Sequence, residues 1–340
     1  MDASSRIDTA AVEAVDDRLL PTAVGSEPIR QIQFVESGKR IAVPSTRIFR
    51  QSVIVTGRWL QIARIQDEER IEGRCVENPK EFTQALSKSG LPADIFTFAQ
   101  KIWESVPNYP YHFEQDNVAA IPITTYEDWF QKRIGNDVKQ NVKKSGKRGL
   151  VVQCVPFNDG LVRDIMVVFN ETPVRQGRLF WHYGKNFDTV KRETSDRLNR
   201  SIFIGAYFKN ELVGFVKLLR TGCIADIVLF VCKEEHRDKK AANALIAKSV
   251  DVCVRDGIRF LTYAQFFYQK KSSSSLAEFK RRNGFEPIWF PRYYIALTAR
   301  GSLGLKLNLH HGIKGILPER VVDALRAIRS RVLAAAESRQ

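Results

Sequence analysis

Residues 201–219 restrict the fold more than any other stretch of this chain. Two runs of alternating apolar residues, 201–208 and 211–219, flank Lys209-Asn210, a pair suited to a tight hairpin turn. A dense β run follows at 224–231, then a helical pattern over 238–255 and another strand over 258–263, with Gly257 between them. Two paired strands leading into strand, helix and strand again belong to an α/β protein.

The flanking segments extend this order. Before it, 150–155 reads as a strand, 159–172 and 188–197 as helices, with the polar-aromatic stretch TPVRQGRLFWHYGK (172–185) between the helices. After it, 274–282 reads as a helix running into Gly284-Phe285, and 288–297 as a last strand. From residue 150 the predicted order is therefore β-α-α-β-β-β-α-β-α-β. Further upstream, 32–35, 40–43, 52–56 and 59–65 are β-rich, 79–89 has helical spacing and stops at Gly90, and 95–99 and 118–123 are strands. One long helix is expected over 124–147, with acids in its first turn and Gly149 at its exit. No repeat of 20–50 residues is visible.

These segments divide the chain into a flexible acidic tail (1–28), an N-terminal α/β subdomain (29–149), a second α/β subdomain (150–298) and a basic helical tail (299–340). A length of 340 residues suits two average domains, and 44% hydrophobic content supplies their cores. In the tail, 318–338 is amphipathic: Val321, Val322, Leu325, Ile328 and Leu333 share much of one face, and Arg320, Arg326, Arg329 and Arg331 add charge. Such a helix docks on its own domain or lies on an anionic membrane surface. No apolar run approaches the ~20 residues that span a bilayer, and the acidic N-terminus lacks a secretory apolar core.

Charge narrows the ligand class. The net charge is +15, yet residues 1–37 hold three bases against seven acids. The excess collects in 131–150, with seven bases and one acid, and in 270–282, with five bases and one acid. Such fields attract phosphates, whether on nucleic acid, coenzymes, nucleotide sugars or lipids. Five cysteines without a CxxC pair argue against a disulfide framework and a zinc ribbon, and no metal site is expected.

Four segments carry a family resemblance: the hairpin IFIGAYFKNELVGFVKLL; the strand 224–231 followed by KEEHRDKKAANALIAKSV; the helix SLAEFKRRNGF with its Phe279-Lys280 pair; and the upstream helix ending KKSGKRGL. In this order they resemble the GNAT acyltransferase fold, and more closely its Fem-like (peptidoglycan-bridge aminoacyltransferase-like) branch. The resemblance covers residues 125–298 well and 29–124 by position. It implies two tandem GNAT-like subdomains and an N-acyltransferase, which moves an acyl or aminoacyl group from an activated donor to an amine. The donor would be acyl-CoA, or aminoacyl-tRNA as in the Fem enzymes. The acceptor would be an anionic small molecule or a cell-envelope precursor, in the cytoplasm or at the inner membrane face, with peripheral contact through 303–338.

The same resemblance assigns roles. Lys280, four residues before Gly284, stands where GNAT enzymes often keep a tyrosine acid and Fem proteins a lysine. It would stabilise the oxyanion or leaving group as a point charge. Asp226 lies on the strand where some GNAT enzymes keep a general base, and burial there should raise its pKa. His236, Arg237, Lys239, Lys240, Ala242 and Asn243 would hold the donor's phosphates at a helix N-terminus. Lys240 departs from the family pattern, which has a glycine there. Arg175, Arg178, His182, Tyr183 and Tyr263 would orient the acceptor. Two other readings stay open on the residues themselves: a non-catalytic binding module of this fold, and a protein that binds RNA or another anionic ligand.

Overall fold

Half of the sheet is built before residue 125. In the computed structural model, which describes residues 27–36, 39–175, 178–267 and 275–312, the chain opens with four successively antiparallel strands. These are β1 (Arg30–Glu36), β2 (Lys39–Ile48), β3 (Gln51–Thr56) and β4 (Ile62–Ile65). Helix α1 (Pro79–Lys88) carries the chain to β5 (Ile95–Ala99), which returns parallel to β4. The long strand β6 (His112–Pro122) follows.

The single helix expected over 124–147 is interrupted. Helix α2 (Tyr126–Asp128) runs into a turn of π-helix, Trp129–Arg133. The backbone is then extended at Ile134 and Gly135 before α3 (Asn136–Lys147) begins. Trp129 and Ile134 are both buried, at 1% and 5% exposure. Five residues apart, they would point about 140° away from each other on a continuous helix. The break lets both side chains enter one core.

The second half runs through β7 (Leu150–Val155), α4 (Asp159–Phe169), the short hairpin β8 (Val174–Arg175) and β9 (Arg178–Leu179), and α5 (Phe187–Thr194). It continues through β10 (Ser201–Phe208), β11 (Glu211–Thr221), β12 (Ile224–Cys232), α6 (Ala241–Arg255) and β13 (Phe260–Thr262). It closes with α7 (Ser275–Arg282), β14 (Glu286–Ala296) and α8 (Ala299–Lys306). The main sheet has twelve strands in the order β1-β2-β3-β4-β5-β14-β6-β13-β12-β11-β10-β7. Only β4–β5 and β12–β13 pair in parallel, each across a helix, as such crossovers require. This is the mixed α/β class that the sequence predicts, with the GNAT strand–helix–strand order.

The two halves exchange their last strands. β6, which follows β5 in the chain, pairs with β13; β14, which follows β13, pairs with β5. β6 and β14 also pair with each other, from Glu286 opposite Ala120 to Tyr294 opposite His112. One sheet thus runs through both halves. In the second half, Ile204, Val213, Val216 and Leu218 pack with Leu245, Val250 and Cys253 of α6 on one face. On the other face Phe203, Leu212 and Phe215 pack with Val162, Ile165 and Phe169 of α4. β11 is covered on both sides and reads accordingly as a nearly continuous apolar run. Val53, Ala63, Phe82 and Phe96 of the first half form a separate core with Tyr293 of β14.

Helix α8 lies so close to the β5 end of the sheet that a Cβ on Gly301 would sit 2.0 Å from the Asp94 carbonyl oxygen. The expected acidic tail up to residue 26 and the amphipathic segment 318–338 lie outside the described residues. No described helix is long and apolar enough to cross a membrane.

Candidate active site

β12 and β13 pair over only three positions, ending at Asp226 opposite Thr262. Beyond that point the chain leaves β12: the Tyr263 amide donates to Ala119 O and the Ala119 amide to Ala264 O, both at 2.8 Å. On the other flank the β11–β12 register slips, Lys217 facing Leu229 and Leu218 facing Ile227, so that Val228 is an extra residue. A bulge of this kind re-aims side chains and strengthens local twist. The two strands therefore part into a V whose apex holds Asp226.

Four polar or aromatic side chains gather at this apex. Thr262 Oγ1 donates to Asp226 Oδ1 at 2.8 Å. Lys280, fully buried, donates from Nζ to Gln265 O at 2.7 Å, and the ammonium lies 4.6 Å from the Tyr263 ring centroid. Burial raises the Asp226 carboxyl to about 6, against the opposing hydrogen bond from Thr262. Burial likewise lowers Lys280 to about 8, against the attraction of Asp226. Low polarity disfavours both charged forms and brings two ordinarily distant pKa values close together around neutrality. An acid and a base matched in this way can exchange protons with a substrate near pH 7.

The position of Lys280 follows from how α7 ends. The Phe285 amide donates to Lys280 O and the Gly284 amide to Arg281 O, both at 3.0 Å, a Schellman closure. It needs a left-handed residue, and Gly284 supplies φ +86°. A side chain there would also strike Trp129, whose Nε1 donates to Asn283 O at 3.0 Å. The buried Trp129, first residue of the π-turn, thus braces the helix that aims Lys280. Asn283 in turn accepts from Asn243 Nδ2 at 2.9 Å, tying α7 to the start of α6.

The start of α6 is open to an anion. Lys240, in the glycine position of the family pattern, has φ 60° and ψ 32°, so a lysine holds the left-handed conformation that glycine adopts more cheaply. No side chain caps this helix end and no acid occupies its first turn, so the amides at Ala241, Ala242 and Asn243 have no side-chain acceptor. A helix N-terminus of this kind favours phosphate. Basic residues surround it. Lys239 lies 4.4 Å from the Phe208 ring centroid and pairs with Asp238 at 3.0 Å, and Arg237 is exposed. Arg148, beyond α3, donates to Asp238 O. The basic run expected over 131–150 thus adjoins the same loop, with Lys143, Lys144 and Lys147 exposed. His236 faces Glu211 at 3.5 Å and packs near Phe208, at the base of the loop.

The residues expected to bind acceptor separate. His182 enters a cavity of about 140 Å³ with Arg70, Glu193, Asp196 and Lys217. It stacks on Phe169 at 4.3 Å, and burial lowers its pKa to about 4, so it is neutral at pH 7. Arg175 is instead a tie: its guanidinium donates to Cys232 O, Val168 O and Glu171. Tyr183 is exposed, and Tyr263 stands at the apex beside Lys280. The side chain of Arg178 lies outside the described residues.

Sequence reasoning missed Lys217, Arg70, Glu193 and Thr262. Lys217 is 3% exposed, donates to Thr194 O and Asp196 O at 2.9 and 2.6 Å, and burial lowers it to about 8. A lysine inside the apolar run VGFVKLL was the available signal. Arg70 comes from the first half, and the field of its charge reaches Asp226. Nothing local marks it.

Residues 169–285 match the acetyltransferase (GNAT) family. None of the curated proteins matches the chain. Among solved structures, the chain is similar to FemX, with 11% identity, a TM-score of 0.50, and 84% of this chain and 91% of that chain covered. It is also similar to L-PGS from Bacillus licheniformis, with 15% identity, a TM-score of 0.50, and 82% and 87% covered. At such identities the likeness speaks for the fold, and the family match supports N-acyltransferase chemistry in general terms. The V of β12 and β13, with the helix N-terminus beside it, lies wholly within the segment 169–285 that matches the acetyltransferase (GNAT) family, in a chain whose fold is similar to that of FemX.

Proposed function

We propose that this chain is an N-acyltransferase with Asp226 as general base and Lys280 as the acid or point charge for the leaving group. The observation that carries this is their meeting at the apex of the parted strands, with pKa values of about 6 and about 8. An acceptor amine attacks the acyl carbonyl, forming a C–N bond, and Asp226 takes its proton. The tetrahedral oxyanion collapses, the C–S bond of a thioester breaks, and Lys280 gives its proton to the departing thiolate. An amide and a free thiol result.

The donor is acyl-CoA, its phosphates held by the amides at Ala241–Asn243 with Lys239 and Lys240. The exposed bases of α3 favour a second reading, an aminoacyl-tRNA whose ester C–O bond breaks instead; the surface is longer than a pyrophosphate needs. The acceptor amine enters through the cavity of His182 and Lys217, whose mixed charges suit a polar small molecule or an envelope precursor. Exposed Leu303, Leu307 and Leu309 beside Lys306 support peripheral contact with a membrane surface from the cytoplasmic side. Two tandem subdomains, 29–149 and 150–298, provide the scaffold.

Thermal-shift titration with acetyl-CoA and longer acyl-CoAs tests this. The expected result is saturable stabilisation, weakened about tenfold or more in Lys240→Glu, with Lys280→Ala binding donor but failing to transfer. No shift with any thioester removes CoA and leaves the tRNA donor, to be tried by transfer from charged tRNA. Failure with both sinks the enzyme reading.

A further inference from the structure

Three of the chain's five histidines converge on one carboxylate, far from the apex of β12 and β13. His112 and Glu114 are two apart on β6, which puts them on the same face of the strand. His310 and His311 follow α8 in a single 3-10 turn. His310 Nε2 lies 2.8 Å, His311 Nε2 3.0 Å and His112 Nε2 3.7 Å from Glu114 Oε1. The donor atoms of His112, Glu114 and His310 all lie within 4.8 Å of one another.

These distances suit a shared cation. Tetrahedral zinc holds nitrogen and carboxylate oxygen at ~2.0–2.1 Å, which sets its ligands about 3.3 Å apart. The donor set is imidazole with one carboxylate, borderline in softness, which suits Zn²⁺, Co²⁺ or Ni²⁺ and not Mg²⁺ or Ca²⁺. The His310 side chain has no exposed surface, and its ring lies 4.1 Å from His311 and 4.6 Å from Tyr294. His112 is half exposed, which leaves a route for the ion. Crowding three imidazoles round a single oxygen gains little as hydrogen bonding alone, since that oxygen has two lone pairs.

We propose that His112, Glu114 and His310 bind one divalent transition-metal ion, zinc by preference. The ion is a clip. It fastens the turn after α8 to β6 and so fixes His310 and His311 as one wall of the cleft of about 940 Å³ between β4, β14 and the C-terminal turn. It takes no part in acyl transfer, and the proposal stands whether or not the chain transfers acyl groups.

The test uses tag-free full-length protein stripped with a chelator and titrated with Co²⁺ in the visible, then with Zn²⁺ in competition. One equivalent of Co²⁺ with intense tetrahedral d–d bands, displaced by Zn²⁺ and untouched by Mg²⁺, is expected. His112→Asn, Glu114→Gln and His310→Asn should each weaken binding by roughly 100-fold or more, beyond the loss a supporting contact causes. His112→Asn alters a half-exposed side chain, so unchanged circular dichroism keeps its result interpretable. His182→Asn and His236→Asn should bind metal as the parent does. Absent stoichiometric binding, or equal affinity in His112→Asn and Glu114→Gln, overturns the site.

Discussion

The crossings β4–α1–β5 and β12–α6–β13 share their topology and even their register, yet different groups stand where their strands part. Ile62-Ala63-Arg64 faces Ile95-Phe96-Thr97 in the first, and Ile224-Ala225-Asp226 faces Phe260-Leu261-Thr262 in the second. In the second, an acid stands at the point of parting and the helix N-terminus is basic and uncapped. In the first, Arg64 takes the place of the acid. Asn78 caps α1 by accepting from the Glu81 amide at 3.2 Å, with Pro79 and Glu81 in the first turn. Where the first pair parts, charges pair beside the cleft of about 940 Å³: Glu68 accepts from the Ala99 amide at 2.6 Å, and Arg292 bridges Glu68 and Asp116 at 3.0 and 2.9 Å. The first crossing pairs opposite charges, whereas the second sets a buried acid and a buried lysine near each other, below an uncapped helix start. The shared backbone does not make a site; the acid and the lysine placed at its apex do.

That contrast can be broken most sharply at Asp226. In Asp226→Asn, kcat should fall by ~10²–10⁴, the range for loss of a general base, while Arg64→Ala leaves turnover unchanged. The parent's pH profile should be a bell. Activity rises as Asp226 loses its proton near pH 6 and falls as Lys280 loses its proton near pH 8. Lys280→Arg should keep the charge but lower turnover, because a guanidinium stays protonated and cannot pass a proton to the leaving thiolate. A flat profile, or equal losses at Arg64 and Asp226, would erase the distinction between the crossings.

Arg292→Met probes the first crossing. It removes charged hydrogen bonds to Glu68 and Asp116 and should cost about 1.5–3 kcal/mol of stability in denaturant unfolding. Transfer per folded molecule should stay level. A turnover loss beyond the folded fraction would mean that the first half shares the site. The smallest effect is expected at Lys240. Replacing it by glycine relieves ~1–2 kcal/mol of left-handed strain against ~0.5–1 kcal/mol of added chain entropy. Stability should rise by no more than about 1.5 kcal/mol, and donor affinity should fall only by the loss of one charge.

The hairpin at 201–219 was legible because its period of two and its Lys209-Asn210 turn are local properties; both turn residues have positive φ. The pattern around Gly284 was legible for the same reason, and with it the placing of Lys280. The helix over 124–147 was misread because periodicity is blind to a two-residue break at Ile134-Gly135, where core burial overrides helical propensity. The role of Arg175 as a tie to Cys232 O depends on two segments 57 residues apart. Pattern within one segment carries no trace of such a partner.

The sequence by itself determined the α/β class, the order of elements and the basic loop before α6, since each is written in neighbouring residues, and its family resemblance supplied the candidacy of Asp226 and Lys280. Only the tertiary structure decided that β6 and β14 change places, that Arg70 reaches the acid's field, and that His112, Glu114 and His310 meet. Such encounters depend on which strand edges pair and which side chains burial forces together, and those are settled by the whole chain folding at once.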